Sequence, residues 1–251
     1  MKKTQGNSLL IGIHAVESAL RKYPQQIQRI MLAEQAGNRR ALELADRAGA
    51  EGIRVEKQPR AALDRLSEGE RHQDIVAEYA PRNLHGEKDL ERLLETMAEP
   101  RLVLVLDGVQ DPHNLGACLR TADAAGVGLV ILRRDGAAGL TPVVRRAASG
   151  AAEVLPLLFA TNLARVLRRL KEHGIWLAGT TDAAELTIYE QDLTGPLALV
   201  MGGEGKGMRR LTSELCDYRV RIPMCGTVSS LNVSVATAVC LYEINRQRGS
   251  R

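Results

Sequence analysis

The chain has 251 residues, enough for one large domain or two modest ones, and 45% of them are hydrophobic and 25% charged, as in globular proteins. Its formal net charge of +4 does not by itself establish a nucleic-acid partner, and no apolar stretch reaches the roughly 18–20 residues of a membrane span or the length needed for export. Its four cysteines form no CxxC pair and have no histidine cluster beside them, which argues against a metal site or a disulfide framework. We therefore expect a cytoplasmic protein with no membrane partner and no bound metal.

The first region, residues 1–80, alternates strand and helix patterns and contains no obvious catalytic cluster. It predicts a small α/β domain. Its predicted elements are a strand at LLIGI, a helix at His14–Tyr23, a strand at QRIMLA, a helix at Arg39–Ala48, a strand at IRVE and a strand at Ile75–Tyr79.

Residues 81–100 are polar and charged and begin and end with Pro81 and Pro100. This composition predicts a linker that contains one amphipathic helix. The apolar stripe of that helix consists of Leu90, Leu93, Leu94 and Met97.

In residues 101–251, short apolar runs recur with helical patterns between most of them, which predicts a parallel sheet covered by helices on both faces. Ligands of such sheets bind beyond the carboxyl ends of the strands, so polar and glycine-rich residues that follow the strands are candidate site residues. The runs are LVLVLD, GLVIL, EVLPLLF, WLAGT, LALVMG and YRVRIP.

Arginine doublets are concentrated in the second half of the chain. Such pairs can hold phosphates through forked hydrogen bonds, although each one is also typical of a solvated helix face. Together they are compatible with a polyanionic partner. The doublets are Arg133–Arg134, Arg145–Arg146, Arg168–Arg169 and Arg209–Arg210.

The first polar cluster follows LVLVLD. Here Asp111 and Pro112 predict a turn, and Asn114 is expected to cap a helix that continues to about Ala125. Gly116 and Arg120 are four residues apart and therefore share a helix face, where the missing side chain of the glycine would let a ligand approach the backbone within reach of the arginine. A cap, a packing glycine and a surface arginine would explain the same pattern.

The second cluster follows LALVM and contains Gly202, Glu204 and Gly207. Glycines after a buried strand predict a loop whose backbone amides approach a ligand closely, although a flexible turn is the alternative. The pattern matches neither the phosphate-binding P-loop nor the dinucleotide-binding fingerprint.

The third cluster follows YRVRIPM and places Ser230 and Asn232 at the start of a helix. We expect Leu231, Val235 and Val239 to form the buried stripe of that helix. The chain has no convincing Ser/His/Asp arrangement and no carboxylate pair, so its polar groups are suited to positioning and polarising a substrate.

The three clusters resemble the motifs of the SpoU/TrmH family of SPOUT methyltransferases across residues 101–251. The resembling motifs are Asn114-x-Gly116-x-x-x-Arg120, Gly202-x-Glu204-x-x-Gly207 and Ser230-Leu231-Asn232-Val-Ser234. Residues 11–16 and 72–75 resemble the small ribosomal-protein-like domain that precedes the catalytic domain in this family. Ile11 stands where an aromatic residue is common, and Asp74 where glycine is common.

The resemblance implies an α/β fold in which a knotted parallel-sheet SPOUT domain follows a small N-terminal RNA-binding domain. It implies S-adenosyl-L-methionine as cofactor, bound near Thr180, Gly202, Ile222, Met224 and Leu231. It also implies a homodimer whose active sites draw on both subunits, with the helix carrying Arg120 and the helix after Ser230 near the interface.

The reaction that the resemblance implies is methylation of a ribose 2′-hydroxyl in RNA, namely a guanosine in the peptidyl-transferase P loop of 23S rRNA. Arg120 is then the main catalytic candidate, Glu204 orients it or shapes the cofactor loop, and Asn114, Ser230 and Asn232 hold the ribose. The alternatives are a 2′-O-methyltransferase of tRNA and a non-catalytic RNA-binding factor in ribosome assembly. A small-molecule methyltransferase or a nucleotide-binding enzyme ranks last, because the glycine loop matches neither usual fingerprint.

Overall fold

The computed structural model describes residues 8–80, 84–205 and 207–249. Residues 1–7 of the predicted first domain and Pro81, where the predicted linker begins, lie outside the described residues. The chain divides into two compact units. One comprises Met1–Asn83 and Leu140–Val154, and the other comprises Leu84–Gly139 and Leu155–Arg251.

The described chain contains twelve strands and ten α-helices. The strands are β1 (Ser8–Ile11), β2 (Ile27–Ala33), β3 (Arg54–Gln58), β4 (Ile75–Tyr79), β5 (Leu84–Gly86), β6 (Leu102–Asp107), β7 (Leu129–Arg133), β8 (Leu157–Ala160), β9 (Trp176–Thr180), β10 (Leu186–Thr187), β11 (Leu197–Gly202) and β12 (Tyr218–Arg221). The helices are α1 (Ile13–Lys22), α2 (Arg39–Ala50), α3 (Arg60–Leu66), α4 (Leu90–Glu95), α5 (Pro112–Ala124), α6 (Pro142–Ala148), α7 (Ala151–Val154), α8 (Leu163–Glu172), α9 (Arg210–Leu215) and α10 (Val233–Gly249). None of the described helices is both long and apolar enough to cross a lipid bilayer.

The first unit contains a four-stranded sheet in the order β1-β4-β2-β3. The strands and helices predicted for this region are confirmed within a few residues. Helix α3 was not predicted, because it is short and buries mainly one side chain, that of Leu63. The main core lies between the sheet and helices α1 and α2 and includes Leu10, Val16, Leu20, Ile30, Leu44 and Ile75.

A tight turn before β4 organises the loops of the first unit. Asp74 has φ 70°, a left-handed conformation that glycine adopts without strain. Its buried carboxylate compensates by accepting hydrogen bonds from the backbone amides of Gly37 (3.1 Å) and Asn38 (3.2 Å) and by pairing with Arg60 (3.0 Å). The aspartate therefore links this turn to the start of α2 and to α3.

The segment Leu140–Val154 belongs to the first unit, although the sequence division assigned it to the region 101–251. Its centre is an ion pair between Arg145 and Glu153, whose residues are only 8% and 0% exposed. The hydroxyl of Tyr79 donates a hydrogen bond to the carbonyl of Glu153 (3.2 Å), which joins the segment to β4. The run EVLPLLF was predicted as one strand, but Glu153 lies in α7 and the strand begins at Leu157.

The second unit contains an eight-stranded sheet in the order β10-β12-β9-β11-β6-β7-β8-β5, and all of its pairings are parallel. The predicted parallel sheet is confirmed. Helices α4 and α8 pack on one face over a core that includes Val103, Val105 and Leu167. Leu104 and Leu106, which alternate with those strand residues, are also fully buried, as expected for a sheet covered on both faces.

The predicted linker is part of the second unit rather than a free connection. Its residues Leu84–Gly86 form β5, the edge strand beside β8, and the predicted helix is α4, with Leu90 and Leu94 buried. Glu87 accepts hydrogen bonds from the backbone amides of Thr161 (2.8 Å) and Asn162 (2.7 Å) and fastens the segment to the start of α8. The strand was missed because three residues are too few to show an alternating pattern.

The buried face of α10 differs from the predicted one. Leu231 is 36% and Val235 is 48% exposed, so the predicted buried stripe is wrong. The helix packs on α5 through a different face, which buries Thr237, Cys240, Leu241, Glu243 and Ile244. Helical spacing shows which residues share a face, but the position of the packing partner decides which face is covered.

Candidate active site

A cavity of about 940 Å³ lies at the carboxyl ends of β9, β11 and β12. These strands are neighbours in the sheet, and their ends lie together, as the parallel arrangement requires. The cavity brings together residues predicted for cofactor and substrate binding. They are Thr180, Gly202, Glu204, Ile222, Met224, Ser230, Leu231 and Asn232.

The glycine loop after β11 has no room for side chains at its base. Gly203 and Gly207 exchange backbone hydrogen bonds of 3.2 and 3.1 Å, and Gly207 has φ 63°. A Cβ added to Gly202 would lie 2.2 Å from the carbonyl carbon of Gly207, and one added to Gly203 would lie 2.4 Å from the carbonyl oxygen of Gly108. The glycines are thus required by close backbone approach as well as by φ.

A chain of hydrogen bonds joins the three motifs at the edge of the cavity. The side-chain amide of Asn114 donates to Oε1 of Glu204 (2.9 Å), and its oxygen accepts from the amide of Asn232 (2.9 Å). The oxygen of Asn232 in turn accepts from the backbone amide (2.9 Å) and the hydroxyl (2.6 Å) of Ser234. Each asparagine amide therefore has a defined orientation.

Glu204 is held as a carboxylate. Partial desolvation raises its pKa, but hydrogen bonds from the side chain of Asn114 and from the backbone amides of Gln110 and neighbouring residues outweigh this effect, so the pKa lies below the usual range. At neutral pH this group is an acceptor and a negative charge rather than a proton donor.

Asp111, and not Asn114, caps helix α5. Its carboxylate accepts a hydrogen bond from the backbone amide of Asn114 (2.8 Å), and Pro112 occupies the first turn of the helix. The predicted capping role of Asn114 is therefore wrong. Because Asp111 performs that role, the side chain of Asn114 is available for Glu204 and Asn232.

Arg120 does not line the cavity. It is exposed on α5 and forms no hydrogen bond within the part of the chain that the structure describes. Gly116 is buried, so the prediction that a ligand approaches the helix backbone beside Arg120 is wrong. Ser230 lies at the cavity, exposed and without a side-chain hydrogen bond to another described residue.

The segment between β12 and α10 is suited to holding a nucleoside-like cofactor. Among the described residues, no backbone–backbone hydrogen bond involves residues 222–231, so amides and carbonyls that face the cavity are available to a ligand. Ile222, Met224 and Leu231 add apolar surface beside them. Backbone groups interspersed with apolar side chains are typical of small-molecule sites.

Several other residues of the cavity were missed from sequence. Thr181 and Asp182 directly follow β9, Arg221 ends β12, and Ser213 lies in α9. The rule that ligands bind beyond strand ends could have indicated the first three, since they stand at strand ends of the predicted sheet. Nothing in the local sequence around Ser213 indicates its position.

Two family matches cover most of the chain. Residues 101–242 match the SpoU rRNA Methylase family, and residues 9–85 match the family described as RNA 2′-O ribose methyltransferase substrate binding.

The chain is also similar to named proteins over nearly its full length. It is 52% identical over 242 residues to the 23S rRNA (guanosine-2′-O-)-methyltransferase RlmB of Pseudomonas syringae pv. tomato, covering 96% of each chain. It is 49% identical to the RlmB of Shewanella oneidensis, with 100% of each chain covered.

Among solved structures, the SpoU methyltransferase AviRb of Streptomyces viridochromogenes, crystallised with AdoMet, matches with a TM-score of 0.81 and 26% identity. That match covers 98% of this chain and 92% of AviRb. A crystal structure titled RNA 2′-O ribose methyltransferase matches with a TM-score of 0.77 and 32% identity over 97% and 90% of the two chains.

Proposed function

The chain belongs to the SpoU rRNA methylase family, and from this premise we propose that it methylates the ribose 2′-hydroxyl of a guanosine in 23S rRNA, using S-adenosyl-L-methionine. The observation that carries the proposal is the Asn114–Glu204–Asn232 chain of hydrogen bonds at the edge of the large cavity. The relatives named above act on a guanosine of 23S rRNA, and we place the target in the peptidyl-transferase P loop.

The residues that hold S-adenosyl-L-methionine in this proposal are Thr180, Gly202, Ile222, Met224 and Leu231. The free backbone groups of residues 222–231 suit the polar edges of a nucleoside, and the apolar side chains suit its ring. When bound, this cofactor supplies an electrophilic methyl group on a sulfonium, which is a good leaving group. The protein's own contribution is therefore to position the ribose and to accommodate charge on its 2′-oxygen.

Asn114, Asn232 and Ser230 orient the ribose in this mechanism. Because Glu204 and Ser234 fix both asparagine amides, their polar groups are preorganised before RNA arrives, and little entropy remains to be lost on binding. Glu204 acts as an ionised acceptor that holds the donor side of Asn114.

Arg120 stabilises the negative charge that develops on the 2′-oxygen and holds an adjacent phosphate. A guanidinium stays protonated at ordinary pH, so the arginine acts through charge and hydrogen bonds and not as a base. Its distance from the cavity in a single chain is accounted for if it serves the active site of a second copy.

We further propose that the protein is a homodimer built on α5 and α10. An apolar surface on and before α10 is exposed in the single chain: Val228 is 62%, Val235 48% and Tyr242 56% exposed. Exposed apolar residues grouped on one side of a helix are typical of an interface. Val235→Glu should produce monomers in analytical ultracentrifugation and abolish methyl transfer, while the circular dichroism spectrum shows that the chain keeps its secondary structure.

We also propose that the C-terminal end is threaded through a trefoil knot. In support, the guanidinium of Arg248 at the end of α10 donates to the carbonyls of Pro100 (3.0 Å), Arg101 (3.3 Å) and Gly195 (2.7 Å). The amide of Gln247 donates to the carbonyl of Gln191 (3.2 Å). The end of the chain is thus held by two loops that are far apart in sequence.

The experiment that tests the proposed function is transfer of a labelled methyl group to unmodified 23S rRNA and to tRNA, followed by mapping of the modified ribose. We expect the label on a P-loop guanosine of 23S rRNA. We also propose that the protein acts in the cytoplasm, where ribosomes are assembled. Label on tRNA alone would favour the tRNA alternative, and RNA binding without transfer to either RNA would favour a non-catalytic assembly factor.

A further inference from the structure

A second cavity adjoins the glycine loop, and four residues line both it and the large cavity: Gly203, Glu204, Gly207 and Met208. It has a volume of about 470 Å³ and is enclosed by the loops that follow β6, β7 and β11. The proposed function assigns it no role. Its lining includes Gln110, Gly136, Glu204, Met208, Arg209 and Arg210.

Glu204 forms the boundary between the two cavities and lines both. Its Oε1 accepts from Asn114 of the ribose-holding network, while its Oε2 accepts from the backbone amide of Gln110 in the second cavity (3.3 Å). The Glu204 carboxylate therefore connects the second cavity to the hydrogen-bond network of Asn114 and Asn232. A chain of nucleotides whose ribose lies at Asn114 and Asn232 would have its neighbouring groups at this opening.

Four of the ten described residues that line the second cavity are glycines. Gly108 and Gly136 have φ 95° and 72°, and a Cβ on Gly203 would lie 2.4 Å from the carbonyl oxygen of Gly108. A Cβ on Gly136 would lie 3.8 Å from a guanidinium nitrogen of Arg209. A side chain at these glycines would occupy space in front of the arginine.

The lining of this cavity carries two acidic residues, Asp107 and Glu204, and two arginines, Arg209 and Arg210. Asp107 is buried at its base, where one carboxylate oxygen accepts from the backbone amide of Arg209 (3.1 Å). The other oxygen lies 3.9 Å from Arg133 and 4.0 Å from the Arg209 guanidinium, too far for hydrogen bonds. The Asp107 carboxylate thus faces two guanidinium groups without a hydrogen bond to either, and the arginine at position 209 forms no side-chain hydrogen bond to any described residue.

The described lining of this cavity offers no aromatic surface to a nucleobase. No aromatic residue is among the described residues that line it, so it offers no ring on which a base could stack. Met208 is its main apolar side chain. An exposed guanidinium with unused donors, beside bare backbone, suits an oxyanion, because its planar fork matches two oxygens of a phosphate.

We propose that this cavity binds a backbone phosphate of the RNA next to the methylated ribose, and that Arg209 is its principal ligand. The inference rests on the proposed function, since it places an RNA phosphate beside the ribose network. Arg210 is 90% exposed and is paired with Glu214 at 3.3 Å, so it contributes charge rather than a directed contact. Arg209 is thus a residue for binding and register, and Arg120 keeps the catalytic role.

The test compares Arg209→Gln with Arg92→Gln. Both arginine side chains are 61% exposed, and each lies about 4 Å from a single aspartate, Asp107 at 4.0 Å and Asp89 at 3.8 Å, so the variants lose the same charge from similar surroundings. The backbone amide that bonds Asp107 is retained in Arg209→Gln. The probe is an unmodified transcript of the P-loop region of 23S rRNA, and its affinity is measured at several salt concentrations.

We expect Arg209→Gln to weaken RNA binding roughly tenfold and to reduce the slope of log affinity against log salt by about 0.7–0.9, the value for one lost phosphate contact. The KM for the transcript should rise in parallel, with S-adenosyl-L-methionine affinity unchanged. Arg92→Gln should match the wild type in every measurement.

The phosphate site would be overturned if the salt slope of RNA affinity were unchanged in Arg209→Gln, or if both variants lost the same RNA affinity. This holds even if the wild type methylates the transcript normally. If the wild type binds the transcript but transfers no methyl group, the proposed function fails, whereas the salt slopes still decide whether Arg209 contacts a phosphate. The two failures are therefore distinguishable.

Discussion

Two sets of polar side chains, one in each compact unit, have opposite environments. In the first unit, the Asp74 carboxylate and the Arg145–Glu153 pair are buried, at 6% exposure for Asp74 and 0% for Glu153, and their partners are backbone or charged groups of the same unit. In the second unit, Glu204 and Asn232 are exposed at the edge of a cavity, and their hydrogen bonds orient them toward it.

This contrast separates groups that stabilise the fold from groups that are preorganised for a ligand. A buried charge must be balanced within the protein, so its loss should be measured mainly as stability. An exposed network at the edge of a cavity is hydrated when empty, so its loss should be measured mainly as activity.

The largest effect is expected for Arg145→Met in the first unit. The substitution leaves the Glu153 carboxylate buried without its counter-charge, and the free energy of unfolding should fall by about 3–5 kcal/mol in chemical denaturation. Arg145→Met with Glu153→Met should recover most of that loss, because replacing both charges removes the uncompensated one. If Arg145→Met alone were as stable as the wild type, the ion pair would not stabilise the unit.

Arg120→Ala should lower the rate of methyl transfer by about 10²–10³-fold, as for the loss of one donor to a developing oxyanion. Because the side chain is exposed on α5, the free energy of unfolding and the affinity for S-adenosyl-L-methionine should stay unchanged. Arg120→Lys should recover little, since an ammonium lacks the planar fork. Near-normal transfer by Arg120→Ala to a competent RNA would refute the assigned role.

Asn114→Asp should lower methyl transfer by roughly 10- to 150-fold at neutral pH, because two carboxylates would then meet where the amide now donates to Glu204 at 2.9 Å. Like charges raise each other's pKa, so part of the activity should return as the pH is lowered and one proton is shared. Glu204→Gln added to Asn114→Asp should restore a donor and an acceptor, and with them part of the rate.

The rate of methyl transfer by the wild type should depend on pH differently from that of the Asn114→Asp variant. The pKa of Glu204 lies below its usual range in the folded protein, so the stability it contributes is present above the unfolded pKa and is lost only as the pH falls through the lower folded value. The wild-type rate above pH 6 should therefore be independent of this group. A wild-type acid limb above pH 6 that disappears in Glu204→Gln would contradict this assignment.

The smallest effect is expected at Asp74 in the first unit. Asp74→Gly removes three hydrogen-bonded or charged contacts but relieves the strain of φ 70°, so we expect a net loss within about 1 kcal/mol. Asp74→Ala loses the same contacts and keeps the strain, and should be about 1–2 kcal/mol less stable than Asp74→Gly. Equal unfolding free energies for the two variants would show that backbone strain does not matter here.

Much of the fold and the make-up of the candidate site could be predicted from local patterns. Apolar runs and helical spacing identified most elements. The rule that ligands bind beyond the carboxyl ends of parallel strands indicated Asn114, Glu204 and Asn232 as candidate site residues, and the structure shows that a chain of hydrogen bonds joins them. Capping was harder to predict. Asp111 and Asn114 are both good capping residues, and only the three-dimensional position of Glu204 shows why Asn114 serves the site.

The sequence by itself determined the order of the elements, the parallel sheet and the residues that gather at its carboxyl edge, because these depend on periodicity over a few residues and on sheet geometry. Only the tertiary structure decided which face of α10 is buried, that Leu84–Gly86 extends the sheet, and that Leu140–Val154 joins the first unit. Each of those outcomes depends on a partner distant in sequence: α5 for α10, β8 for the edge strand and Tyr79 for the segment. Local sequence patterns indicate which residues can be buried or hydrogen-bonded. The tertiary structure determines which partner each of them has.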